Sequence, residues 1–174
     1  SGEITVSSEP GKGSTFIVTL PLQNLEEAQE QPPVSQNLEE DFTLEGKTFL
    51  LAEDNEINME VATECLNMLG AHVLQAWNGQ EAVNIFQASD EHQIHAILMD
   101  MQMPVMDGCQ AAEAIRNLPR PDAKTIPIIA VTANVFAEDI ARTTQAGMNA
   151  HIAKPIDFKQ LQTVLKDCLT AGAL

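Results

Sequence analysis

The chain has 174 residues and a formal net charge of −16, from 9 Lys and Arg against 25 Asp and Glu. That balance argues against nucleic acid or an anionic membrane as a direct partner, since both demand basic surface. Hydrophobic residues make up 44%, enough for one full core, but no apolar run is long enough to span a bilayer and no signal-peptide pattern is present. Cys65, Cys109 and Cys168 are odd in number, lie in helical patterns and form no pair at metal spacing. They read as buried reduced thiols in a reducing, cytoplasmic compartment. The chain starts Ser-Gly-Glu, already in strand-like sequence, and is expected to be a piece of a longer protein.

Residues 1–22 hold two alternating runs, Ile4-Val6-Ser8 and Phe16-Val18-Leu20, separated by the turn formers Glu9-Pro10-Gly11-Lys12-Gly13-Ser14. The pattern predicts a β-hairpin. A phosphate-loop reading fails, because Lys12 precedes Gly rather than Ser or Thr and both flanks are strands. A lone hairpin is marginal in water, so it should belong to a larger sheet. The run GEITVSSEPGKGSTFIVTLPL resembles the closing hairpin of the ATP-binding domain of sensor histidine kinases. That resemblance implies an ATP site only in an upstream kinase domain. No ATP site can be built from these residues.

Residues 23–45 carry Glu26, Glu27, Glu30, Glu39, Glu40, Asp41 and Glu45 with no Lys or Arg, and include Pro32-Pro33. Charge of one sign with few large apolar side chains predicts an acidic flexible linker.

From Gly46 the pattern changes to strand–helix alternation. Thr48–Ala52 reads as a strand ending in Glu53-Asp54, and Asn55–Leu69 as a helix with Ile57, Val61, Leu66 and Leu69 among its core candidates. Ala71–Ala76 is a second strand, and a second helix opens at Asn78-Gly79. Ile94–Asp100 is a third strand. Pro104 keeps the following Met-Gln-Met-Pro segment out of a helix, and Gly108–Asn117 is the third helix. Strands at Ile126–Val131 and Ala150–Ala153 alternate with helices at Phe136–Ala146 and Phe158–Cys168. Trp77 reads as a packing residue and the methionines around Asp100 as core and loop filling. Alternating units of this kind imply an α/β fold with a parallel sheet covered on both faces. The flavodoxin-like order 2-1-3-4-5 fits best with right-handed crossovers.

In that order the polar residues at the carboxyl ends of the strands converge: Glu53, Asp54 and Asp100 beside Thr132 and Lys154. Clustered carboxylates repel each other, so a hard cation is expected among them, Mg²⁺ or Mn²⁺ rather than zinc. Lys154 adds a second positive charge. Such a site suits phosphoryl transfer onto a carboxylate.

The motifs AEDN at 52–55, ILMDMQMPVMDG at 97–108, AVTAN at 130–134 and HIAKP at 151–155 resemble the receiver domain of two-component signalling, over residues 46–170. The resemblance implies that Asp100 is the phosphoacceptor and that Glu53 and Asp54 are the acidic pair, with Asp54 a direct metal ligand. The backbone carbonyl of Gln102 would complete the metal shell. Thr132 and Lys154 become the switch hydroxyl and the phosphate-binding lysine, and Lys154-Pro155 a cis peptide. Two positions depart from the common pattern: Glu53 stands for Asp, and His151 for the usual aromatic switch residue. The imidazole brings a pH-sensitive charge, which predicts weaker switching below neutral pH. Gln102 and Asn134 hold the positions that tune auto-dephosphorylation; both are amides, able to hold a water but not to act as its base.

Taken together, the chain is expected to be the C-terminal part of a hybrid sensor histidine kinase whose parent is a membrane-anchored, ATP-dependent phosphotransferase. Its partners would be that kinase's own phosphohistidine domain and a histidine-phosphotransfer domain, with dimerisation through the face of the fourth helix, fifth strand and fifth helix also open. Two other classes fit these residues less well. A Mg²⁺-dependent phosphohydrolase of the haloacid-dehalogenase type would carry Asp-x-Asp after the first strand, where this chain has Glu53-Asp54-Asn55. A receiver-like binding module that is never phosphorylated should have lost an Asp or the Lys, and none is lost.

Overall fold

A computed structural model describes residues 3–19, 42–133 and 137–171, which fall into two units. The first is a hairpin of β1 (Glu3–Glu9) and β2 (Gly13–Thr19), paired antiparallel. Gly11 at φ +79° and Gly13 at φ +101° take the left-handed turn positions that side chains disfavour. Cross-strand pairs Ile4–Val18 and Val6–Phe16 share one face, and all four side chains are exposed. The linker at 23–41 lies outside the described residues.

The second unit alternates strands and helices: β3 (Thr48–Ala52), α1 (Glu56–Met68), β4 (His72–Ala76), α2 (Gly79–Ala88), β5 (Ala96–Asp100), α3 (Gly108–Arg116), β6 (Ile128–Thr132), α4 (Ala137–Gln145), β7 (Ala150–Ala153) and α5 (Phe158–Ala171). A short 3₁₀ turn at Pro121–Lys124 precedes β6. The strands form one parallel sheet in the order β4-β3-β5-β6-β7, which is the expected 2-1-3-4-5.

Both sheet faces are buried, and alternate residues of each strand serve opposite layers. Leu50, Ile97, Met99 and Ile128 pack with Phe86 of α2 and Ala112 and Ile115 of α3. Phe49, Leu51, Leu98 and Ile129 pack with Met59, Ala62 and Leu66 of α1 and Leu161 and Leu165 of α5. The first helix differs from its reading in sequence. Leu66 and Leu69 are buried, but Ile57 is 71% and Val61 48% exposed. Both 57-61 and 59-62-66 satisfy helical spacing, so periodicity alone does not choose between them. The start fixed by Asn55, whose side chain accepts from Asn58 N at 3.1 Å, turns Met59, Ala62 and Leu66 inward. Cys109 is buried, whereas Cys65 and Cys168 are half-buried, and all three are free thiols. Trp77 is 42% exposed and does not join the core.

Candidate functional site

Three neighbouring strands deliver their last residues to one crevice, because parallel strands with helices returning behind them leave their carboxyl ends open on the same edge. Glu53 follows β3, Asp100 ends β5 and Thr132 ends β6; all three are buried, while Asp54 is exposed at the rim. Ligand oxygens of Glu53, Asp54 and Asp100 lie within 4.8 Å of one another. Lys154, just after β7, reaches between the carboxylates, with Nζ 2.7 Å from Asp100 Oδ2 and 2.6 Å from Glu53 Oε2. The other oxygens are also held: Gln102 N donates to Asp100 Oδ1 at 3.2 Å, and Asn55 N and Asn58 Nδ2 donate to Glu53 Oε1 at 3.3 and 3.0 Å. These residues and Thr132 line a cleft of about 190 Å³. Two larger clefts, about 430 and 550 Å³, lie at the opposite edge of the sheet around Pro127 and Asn149; neither gathers several acids, so volume is a poor guide to the chemistry here.

Burial pushes the Asp100 carboxyl above its ordinary range, and the nearby Glu53 charge adds to this, against the opposing hydrogen bonds from Lys154 and Gln102 N. Burial would lower the Lys154 ammonium, but its hydrogen bonds to Asp100 and Glu53 outweigh that and raise it. Lys154 therefore stays charged at neutral pH. Three carboxylates against one ammonium leave excess negative charge in a half-enclosed space, and the donors are all hard oxygens. The crevice fits a small divalent cation on charge and donor type.

The loop after Asp100 is fixed by two close approaches. A Cβ on Gly108 would stand 2.3 Å from Asp100 O, and one on Gly79 2.5 Å from Met106 O. Asp107 caps α3 in a reciprocal box with Gln110. Val105, at φ +69°, is held in a conformation that β-branched residues avoid and is 83% exposed.

Of the remaining positions singled out in the sequence, Gln102 lines this crevice and His151 does not. Lys154-Pro155 is cis. Gln102 is exposed at the rim. His151 is half-buried on β7, and its Nε2 is hydrogen-bonded to Oγ1 of Thr143, a buried residue of α4, away from the carboxylates. Burial lowers its imidazole below the ordinary value. Asn134 lies outside the described residues. Asn58 and Gly108 carried no functional reading in sequence. Asn58 could have been found as an exposed amide in the first turn of α1, five residues beyond Glu53, and Gly108 only through its contact with Asp100.

Comparison with known proteins shows the family. Residues 49–166 match the response regulator receiver domain family. The receiver domain of the sensor histidine kinase PA1611 from Pseudomonas aeruginosa, solved with magnesium coordinated in its active-site cleft, is 37% identical. It superimposes with a TM-score of 0.65 over 72% of this chain and 98% of that one. Histidine kinase 1 of Arabidopsis thaliana is 35% identical over 71% of this chain and 13% of its own length. The aerobic respiration control sensor protein ArcB of Escherichia coli is 34% identical over 95% of this chain and 20% of its own. The chain thus spans about a fifth or less of the length of these curated relatives. It belongs to the response regulator receiver domain family, as found in hybrid histidine kinases, and the dehalogenase-type alternative falls with that assignment.

Proposed function

We propose that Asp100 takes the phosphoryl group from a phosphohistidine in this phosphorelay receiver. One Asp100 carboxylate oxygen attacks phosphorus, the P–O bond forms as the P–N bond breaks, and the imidazole leaves with the bond's electron pair. Lys154 neutralises a phosphoryl oxygen and the Thr132 hydroxyl donates to another. Glu53, Asp54, Asp100 and the Gln102 carbonyl would hold Mg²⁺, or Mn²⁺ in its place, which supplies positive charge against the phosphoryl oxygens. The observation that carries this reading is Lys154 Nζ between Asp100 and Glu53, at 2.7 and 2.6 Å: a fixed cation beside a buried carboxylate that has a second acid next to it.

The donor in this reading is the phosphohistidine domain of a longer hybrid kinase, and the acceptor downstream is a histidine-phosphotransfer domain. Two observations support it. The likeness to ArcB runs over 95% of the chain, hairpin and linker included, which fits residues 1–22 as the end of an ATP-binding domain, 23–45 as a linker and 46–170 as the receiver. On α1, which starts at the rim of the crevice, Ile57, Val61 and Met68 form an exposed apolar stripe about 16 Å long, suited to a partner helix that brings a histidine to Asp100. No described helix is long and apolar enough to cross a membrane, and the reading places this portion in the cytoplasm with a membrane anchor elsewhere in the parent. Self-association through α4, β7 and α5 is a further part of it; light scattering with and without beryllofluoride tests that part.

The test is transfer from a radiolabelled phosphohistidine domain. Label should pass to the wild-type chain and not to Asp100→Asn. Label that stays on the donor, or that passes equally to Asp100→Asn, contradicts the reading.

A further inference from the structure

Glutamate at position 53 creates a problem that aspartate would not. Its extra methylene adds a rotatable bond, so its carboxylate must be restrained if it is to stand ready beside Asp54 and Asp100. The restraint comes from α1. Asn58 Nδ2 donates to Glu53 Oε1 at 3.0 Å, and Asn55 N donates to the same oxygen at 3.3 Å. Glu53 Oε2 is left to Lys154 at 2.6 Å. Asn58 is itself fixed, since its backbone N–H is taken by the Asn55 side chain at 3.1 Å. It lines the crevice with Glu53, Asp54 and Asp100, yet it has no charge and is not among the acids that could hold a cation.

We propose that Asn58 is a positioning residue for Glu53: its amide pins one carboxylate oxygen so that the other faces the crevice, which lets a glutamate serve where the shorter acid would need no support. This rests on the crevice holding a divalent cation, as in the reading above. A carboxylate accepts hydrogen bonds only, so the amide nitrogen must face it, and the contact links helix α1 directly to the acidic centre. Partners of this kind, one step behind the ligands, commonly set metal affinity by 10–100-fold.

The experiment is a double-mutant cycle read by calorimetric titration of Mg²⁺ into the full chain, with no phosphoryl donor present. Wild type, Asn58→Leu, Glu53→Asp and the double variant are compared. Asn58→Leu should weaken Mg²⁺ binding on the order of tenfold, and Asn58→Ala should do the same should the leucine variant unfold. In the Glu53→Asp background the shorter arm no longer reaches the amide, so Asn58→Leu should cause no further loss. Wild-type affinity in both Asn58 variants, or the same loss with Glu53 and with Asp at position 53, would overturn the assignment. Absence of Mg²⁺ binding by the wild type would instead overturn the cation site itself, and this proposal with it.

Discussion

Lys154 is the residue on which the site's balance turns. It is the one cation within ion-pairing distance of Asp100 and Glu53 among the described residues. Lys154→Ala leaves two buried acids facing each other without a counter-charge, an arrangement that costs roughly 3–5 kcal/mol when a partner is removed from a buried pair. A bound cation can offset part of that. The variant should therefore melt lower than wild type, with the gap narrowing as Mg²⁺ is added; an unchanged melting curve in chelator contradicts the account. Gln102 belongs to the same scale. Its amide stands at the rim, two residues from Asp100, and Gln102→Ala should change the decay rate of the acyl phosphate, with 32P loss from the purified adduct as the measure. An unchanged rate removes it from water placement. His151 is depressed by burial, so the folded state holds it neutral. Its contribution is present above the ordinary histidine range and is lost as pH falls through the lowered value. Phosphorylation-induced shifts followed by NMR should shrink below neutral pH in wild type and not in His151→Phe.

Among the elements, the loop from Met101 to Asp107 and the turn at Arg120–Asp122 show what periodicity cannot. Gly108 has no room for a side chain because Asp100 O passes over it. Gly108→Ala should cost about 1–3 kcal/mol and slow phosphoryl uptake by displacing the Asp100 backbone, both measurable on one preparation. Far from the crevice, Arg120 donates to both Asp122 oxygens at 2.7 Å and to the carbonyls of Phe86 and Ser89 at the end of α2, and it stacks over the Phe86 ring. The hydrogen bonds from Arg120 hold the Asp122 carboxyl down at about 2. An unfolded aspartate titrates near 3.9, so this stabilisation is complete above that value and is lost as pH falls toward 2. It amounts to about 2–3 kcal/mol. Denaturant titrations between pH 5 and 2.5 should show a decline that is shallower in Asp122→Asn, although that variant starts less stable. Nothing in the sequence flagged this pair, since Arg-x-Asp in a polar turn looks like solvated charge until α2 is folded against it.

At the scale of the whole molecule, strand–helix alternation was enough to specify the sheet. Buried parallel strands read as short apolar runs, and handedness leaves few orders to choose from. The acids, hydroxyl and lysine of the site were legible for the same reason, because each ends a strand or comes just after one and the topology brings strand ends together. What escaped were features set by packing: which stripe of α1 faces inward, the amide of Asn58 behind Glu53, and the closeness of Gly108 to Asp100. Ile57 and Val61, core candidates by spacing, instead give α1 an apolar outer face. Ile57→Ala with Val61→Ala should leave stability within roughly 0.5 kcal/mol and leave uptake from a small-molecule donor unchanged. The same change should slow exchange with a phosphohistidine domain several-fold or more. Equal exchange rates would move the docking surface elsewhere.

The most direct test of the central claim is intact mass after incubation with Mg²⁺ and acetyl phosphate. The account predicts a single added phosphoryl group that is absent without the metal and absent in Asp100→Asn. No adduct in the wild type, or an adduct that persists in Asp100→Asn, would contradict it.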